Sequence, residues 1–404
     1  MRVQDWIFLG RSRAIVAGLR VLAKYLNGGF SIYFGKPSTL RHGEPECEYS
    51  TVDGRVIPIY ERYRYSIKAG WRSFPGLDLM AELKNRGLLV ESDTHFLQKA
   101  IGTRTLMVCP DEALSVAKKA VEKNLDLFIP GSRNEFGLPE FKLDKNQLQE
   151  TVGIYRRRHA AMFEQVASAG IFSVPRNASV LEVGYTTGGH SIFAFEQLGF
   201  KAFGIDNYYG GLIGEQTLHG NNKISLGSHA TFEVGDITTT TSFPSGSMDV
   251  VFSTSVLEHI QDLEGAFVEM YRLVKSGGAI IHNFSPYFSH DGGHALGIGD
   301  SPWAHVRLTE EEYLHYLKVL RPNEHAMASK WITGALHRNM PQWKVQRLVV
   351  AAGFRIGMWM AKPSSQKWLA DLTPEIIKEC FAATPEIGIE DLVSRSVSFV
   401  GIKP

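Results

Sequence analysis

The stretch VLEVGYTTGGHSIFAFEQLG, residues 180–199, decides how the rest of the chain is read. Val180–Val183 is a short apolar run broken only by Glu182, which fits a strand buried on both faces. Gly184, Gly188 and Gly189 then open a turn, and the following residues resume with a helical period. A strand, a glycine turn and a helix start bring backbone close to a ligand and aim free N–H groups at it. Thr186 stands where such turns usually carry another glycine, and a β-branched residue there resists positive φ.

Working outward, short apolar runs alternate with helical periods. Strands are expected at Ala202–Ile205, Thr231–Val234, Asp249–Ser253, Ala279–Phe284, Arg355–Met360 and Ser396–Ile402. A helix is expected from Leu148 to Ala169, with the basic run Arg156–Arg158 on a solvated face. In DLEGAFVEMYRLVKSGG, Leu263, Ala266, Phe267, Met270, Leu273 and Val274 share one helical face, with Gly277 and Gly278 as the stop. Strands separated by helices imply right-handed crossovers and a largely parallel sheet covered on both faces.

In such sheets ligands bind beyond the carboxyl ends of the strands. Asp206 ends the second strand, where a carboxylate accepts from both hydroxyls of a ribose. Asp236 ends the third, placed to receive an exocyclic amine of a base. A glycine turn and two acids at three successive strand ends point together to a nucleoside-bearing ligand.

Residues of about 178–290 resemble class I S-adenosylmethionine-dependent methyltransferases. VLEVGYTTGGHS is similar to their first motif, FGIDN to the acidic second strand and VGDI to the third. SMDVVFSTSVLEHIQD resembles the fourth-strand motif, and LEGAFVEMYRLVKSGGAIIHNF the helix and strand after it. The resemblance implies an α/β Rossmann-like sheet of seven strands whose last strand is antiparallel, with S-adenosylmethionine as cofactor. It implies that Glu182, Gly184 and Gly188 shape the methionine end of the pocket and that Asp206 holds the ribose. Asp236 and the Ile237 backbone would meet adenine, and Ser253 and Thr254 would close the wall. Tyr185 and Thr186 depart from the family pattern at the turn.

Two other readings address the same residues. A nicotinamide dinucleotide enzyme also uses a glycine turn and an acid about 20 residues on, but Thr186 interrupts its fingerprint. A methyltransferase-like scaffold without chemistry is the other.

Methyl transfer demands alignment of an acceptor and exclusion of water, so positioning outweighs any single base. The segment after the fifth strand, HNFSPYFSHDGGHALGIGDSPWAHVRLTEEEY, is rich in glycine, proline and histidine and belongs at the rim of the pocket. Seven of the chain's 14 histidines fall between His282 and His337. His290 or His294, oriented by Asp291, is the expected base for a substrate hydroxyl. The alternative is that these histidines cap loops; for His282, inside a strand, a structural role is preferred. His290, Asp291 and His294 also carry metal-ligand chemistry, but their loop spacing does not itself converge on an ion, and no metal is expected.

The 404 residues suffice for two domains. An α+β accessory region over 1–140 is expected, followed by a methyltransferase domain over 141–404 with helical insertions near 309–340 and 362–394. Lys and Arg (43) balance Asp and Glu (42), which argues against nucleic acid as a partner. Cys47, Cys109 and Cys380 are few, odd in number and far apart, which fits a reducing cytoplasm. Residues 6–26 are apolar but interrupted by Arg11, Arg13, Arg20 and Lys24, which suits an amphipathic helix packed on the domain, or lying on an anionic membrane surface, rather than a span. The expected acceptor is a small molecule, a sugar or a lipid-linked glycan, methylated on oxygen; the oligomeric state is left open.

Overall fold

In the computed structural model, the described residues are 143–404, apart from 186–187, 208–217, 291, 294–301, 321–324, 326–328 and 330, together with four short strands before them. The amphipathic helix expected over residues 6–26 lies outside those residues. The four early strands pair as two antiparallel ribbons, Arg72–Pro75 with Thr105–Val108 and Phe128–Arg133 with Pro139–Phe141. The chain divides into two compact units. One comprises 1–127, 293–334 and 366–386; the other comprises 128–292, 335–365 and 387–404.

The second unit holds a seven-stranded sheet. Its strands are numbered here β1 (Ser179–Val183), β2 (Lys201–Asp206), β3 (Thr231–Val234), β4 (Met248–Thr254), β5 (Val274–Phe284), β6 (Arg355–Pro363) and β7 (Ser394–Ile402). Their spatial order is β6-β7-β5-β4-β1-β2-β3. β1 pairs in parallel with β2 and β4, β2 with β3, and β4 with β5. β7 runs antiparallel to both β5 and β6. The sheet therefore reverses its order between β1 and β4, and the crevice at the carboxyl ends of those strands is where this topology binds ligands.

Alternation along β1 sorts its side chains between two cores. Leu181 and Val183 face a core built with Phe267, Met270, Val345 and Val349. These come from helices α4 (Leu263–Leu273) and α7 (Gln342–Ala351). Val180 faces the opposite core, with Val152, Phe163, Phe193 and Phe195. Those belong to α1 (Lys145–Ser168) and α2 (His190–Gln197). Glu182, two residues after Val180, shares that second face.

α1 begins with a capping box: Asp144 accepts from the backbone of Asn146 and Gln147, while the Gln147 side chain accepts from the Asp144 N–H. Leu148, Val152, His159, Phe163 and Val166 are its buried stripe, whereas Arg156, Arg157 and Arg158 are exposed. Tyr155 and His159, four apart, lie on the inward side of the basic run.

One boundary differs from the sequence expectation. α4 ends at Leu273, and Val274, expected on its apolar face, already begins β5. Gly277 and Gly278 do not stop the helix; they lie in β5, opposite a register shift between Met248 and Val250. Gly277 has φ +76°, and a Cβ on Gly278 would stand 2.8 Å from the Asp249 carbonyl oxygen. The glycines serve a strand irregularity, which local periodicity cannot separate from a helix stop.

In the first unit, α5 (Ala304–Arg307), α6 (Glu310–Leu320) and α9 (Pro374–Ala383) follow the polar and proline-divided segments, with α8 (Gln366–Leu369) before α9. The buried Arg307 guanidinium pairs with Glu379 at 2.7 Å and donates to the Pro302 carbonyl. No helix among the described residues is long and apolar enough to cross a membrane.

Candidate cofactor and active site

The glycine turn leaves β1 at Gly184, whose N–H donates to the Ile205 carbonyl at 2.8 Å and whose φ is +73°. The side chain of Val256 occupies the place a Cβ on Gly184 would take. Glycine is thus required twice, by backbone angle and by the turn after β4. Gly189, with φ +63°, caps α2; a Cβ there would meet the Phe232 ring at 2.8 Å. Gly188 leaves room for the imidazole of His190. Thr186 lies outside the described residues.

Tyr185 does not need a glycine beside it in sequence; it finds one across the sheet. Its ring is buried, edge-on to His219 (5.0 Å) and Phe232 (5.1 Å), and a Cβ on Gly204 would come 2.8 Å from it. Gly204 sits opposite Glu182 in the β1–β2 register. Helix α3 (Leu218–Leu226) closes this side. Its Asn222 amide donates to the Gly188 carbonyl at 3.0 Å and lies 3.4 Å from His190 Nε2. Burial lowers the His190 pKa to about 4, so the ring is neutral and its Nε2 accepts.

Glu182 is 4% exposed, and its Oε2 has no hydrogen-bond partner among the described residues. Burial raises its carboxyl to about 8, with Ser191 lowering it and the nearby Asp206 charge adding to the rise. Ser191 Oγ in turn lies 2.8 Å from His159 Nε2. Asp206 ends β2, half-buried, in register with Val234 of β3. Asp236 follows β3 on the exposed surface, with Oδ1 accepting from the Thr238 N–H at 2.9 Å. Ile237 is buried in the core of the α4 face. Ser253 is fully buried and hydrogen-bonds His282 Nδ1 at 2.6 Å, whereas Thr254 is exposed at the end of β4. Burial drives the His282 pKa down to about 3.

The structure brings Glu182, Asp206 and the glycine turn together. Ser253 is committed to His282, and Ile237 presents its side chain to a core rather than to the crevice. His290 is 3% exposed in the turn after β5, beside the buried Tyr287, Phe288 and Ser289. Asp291 and His294 lie outside the described residues. His259, in the turn after β4, donates from Nδ1 to the Ala335 carbonyl at 2.8 Å. Glu258 beside it is buried, accepts from the Ser285 N–H, and is raised to about 8 by burial.

Sequence reading missed His159, His190, Ser191 and Asn222. Only the four-residue spacing of Tyr155 and His159 hinted at an inward polar pair; the others depend on how α1, α2 and α3 pack over the turn. The donor set fits a ligand with hydroxyls and a cationic end. Asp206 is an acceptor at a strand end, and the orphaned Glu182 Oε2 is a buried acceptor awaiting a donor.

Residues 181–282 match the family described as a methyltransferase domain. An uncharacterized methyltransferase of Mycobacterium sp. (strain JLS) is 26% identical over 163 residues, 40% of this chain and 60% of its own length. The chain thus spans about 60% of that relative. Phosphoethanolamine N-methyltransferase 1 of Arabidopsis thaliana is 30% identical over 102 residues, 25% of this chain and 20% of its own. Among solved structures, phosphoethanolamine N-methyltransferase 2 of Haemonchus contortus in complex with S-adenosyl-L-methionine aligns at 16% identity and a TM-score of 0.36, covering 60% of this chain and 52% of that one. The matched segment runs from β1 into β5 and holds the glycine turn at the reversal point of the β6-β7-β5-β4-β1-β2-β3 sheet, so this part of the chain is similar to a methyltransferase domain.

Proposed function

We propose that the protein transfers a methyl group from S-adenosylmethionine to a small acceptor. The observation that carries this reading is the convergence at one sheet reversal of the Gly184 turn, the Asp206 carboxylate and the unpartnered Glu182 oxygen. When bound, the cofactor supplies an electrophilic methyl group on a sulfonium. Asp206 accepts from the ribose hydroxyls, Asp236 and the Ile237 backbone meet the adenine, and Glu182 with Gly184 and Gly188 holds the amino-acid end. Thr254 and the Val256 turn form the neighbouring wall, with Ser253 behind them bonded to His282.

His290 takes the proton of an acceptor hydroxyl, with Asp291 orienting it and His294 as the second candidate. A base of this kind contributes about 10²–10⁴-fold, so most of the acceleration comes from alignment in a site closed to water. The acceptor class is a small metabolite, a sugar or a lipid-linked glycan. The names of the characterised relatives support small acceptors, and a basic helix over residues 6–26 would bring a lipid-linked one near.

Calorimetric titration with S-adenosylmethionine and with NADH tests the reading. Saturable heat with the first and none with the second is the expected result. The reverse would assign a dinucleotide enzyme, and silence with both would leave a scaffold. Mass spectrometry of a deletion strain, searching for a compound lighter by one methyl group, then identifies the acceptor.

A further inference from the structure

Helix α3 presents two residues one turn apart, His219 and Asn222, to two successive glycines of the turn after β1. A Cβ on Gly189 would stand 3.2 Å from the Cβ of His219, and the Asn222 amide donates to the Gly188 carbonyl at 3.0 Å. Asn222 is 3% exposed, so water does not compete for that bond. The carbonyl can only accept, which fixes the amide with its nitrogen toward the turn. The same nitrogen lies 3.4 Å from His190 Nε2, a longer contact made with its second hydrogen. The His190 ring occupies the place a Cβ on Gly188 would take, and it stacks on Tyr155 of α1 with ring centroids 6.1 Å apart. One side-chain amide therefore ties together both ends of the tripeptide Gly188–Gly189–His190.

Glycine has the most backbone freedom of any residue, so a turn built on Gly184, Gly188 and Gly189 is costly to order. A contact that orders it before the ligand arrives removes that cost from binding. The peptide held by Asn222 is also the one that opens α2. Gly189 caps that helix at φ +63° with no side-chain bond, so the backbone alone decides where the leading N–H groups point. A trans peptide is planar: with the Gly188 carbonyl held by α3, the Gly189 N–H faces away from α3.

We propose that Asn222 is a positioning residue for the cofactor, presetting the Gly188–Gly189 peptide that meets the amino-acid end of S-adenosylmethionine. The inference rests on the cofactor reading above. Asn222 acts through one peptide of the turn, so its effect falls on the amino-acid end. The adenosine end, assigned to Asp206 and Asp236 on other strands, is independent of it.

The test compares two ligands on the full chain. S-adenosylmethionine is titrated calorimetrically, and methylthioadenosine, which lacks the amino-acid end, is measured by its displacement of S-adenosylmethionine. Asn222→Leu keeps the volume and removes the donor; Asn222→Ala is the second variant, free of any added bulk. Each should bind S-adenosylmethionine about tenfold more weakly, the worth of one buried hydrogen bond, and methylthioadenosine as tightly as the wild type does. Wild-type affinity for S-adenosylmethionine in the variants overturns the inference. An equal loss for the two ligands also overturns it, because a merely structural residue would weaken both, and so does failure of both variants to fold. In each of these cases the wild type still binds and the cofactor reading stands. Absence of S-adenosylmethionine binding by the wild type sinks both.

Discussion

The ring of Tyr185 shares with the Ile192 side chain the space left by the missing side chain of Gly204, so a bulky residue at the glycine turn is accommodated by a glycine on the neighbouring strand. This pairing directs Tyr185 into the core beside Phe232 and His219. It explains how the turn tolerates its departure from the family pattern at residue 185.

Gly204→Ala should therefore destabilise the fold by about 1–3 kcal/mol, because the added Cβ meets Tyr185 and Ile192. Chemical denaturation measures it. In the Tyr185→Ala background the same change should cost less, and strict additivity of the two substitutions would contradict the pairing.

Gly184→Ala meets two obstacles, a φ of +73° and the Val256 side chain. It should weaken cofactor binding and cost about 1–3 kcal/mol of stability. Val256→Ala removes only the steric part, so the double variant should recover in part. Full recovery would show that backbone strain is unimportant there.

Asp206→Ala should abolish binding of S-adenosylmethionine while the protein remains folded by circular dichroism. Affinity within threefold of wild type would refute its contact with the ribose.

His290→Ala should leave cofactor affinity unchanged and lower kcat by about 10²–10⁴-fold once the acceptor is known. Full turnover would move the base elsewhere in the turn.

Glu258 gives a pH prediction. Its folded pKa, about 8, is raised above the value near 4.5 of the unfolded chain. Its contribution is therefore complete below pH 4.5 and is lost as pH rises toward 8. Glu258→Gln mimics the protonated form and should match wild type near pH 4.5 while exceeding it by about 2–4 kcal/mol at pH 8. Denaturation midpoints at the two pH values decide it.

Much of this was readable in the chain because it depends on neighbours close in sequence. Val180–Val183 and Thr231–Val234 are apolar runs bounded by glycine, and the structure has strands there. Asp206 and Asp236 were legible because a strand end is a local feature. The end of α4 was not: Gly277 and Gly278 suit a helix stop and a strand irregularity equally, and only pairing with β4 distinguishes them.

The sequence by itself determined the alternation of strands and helices, the glycine turn and the acids at the strand tips, since periodicity and turn chemistry act over a few residues. Only the tertiary structure decided that His159 meets the hydroxyl of Ser191, 32 residues on, and that Gly204 makes room for Tyr185. Those relations join residues on different elements, and they exist only once the helices pack on the sheet and water is excluded between them.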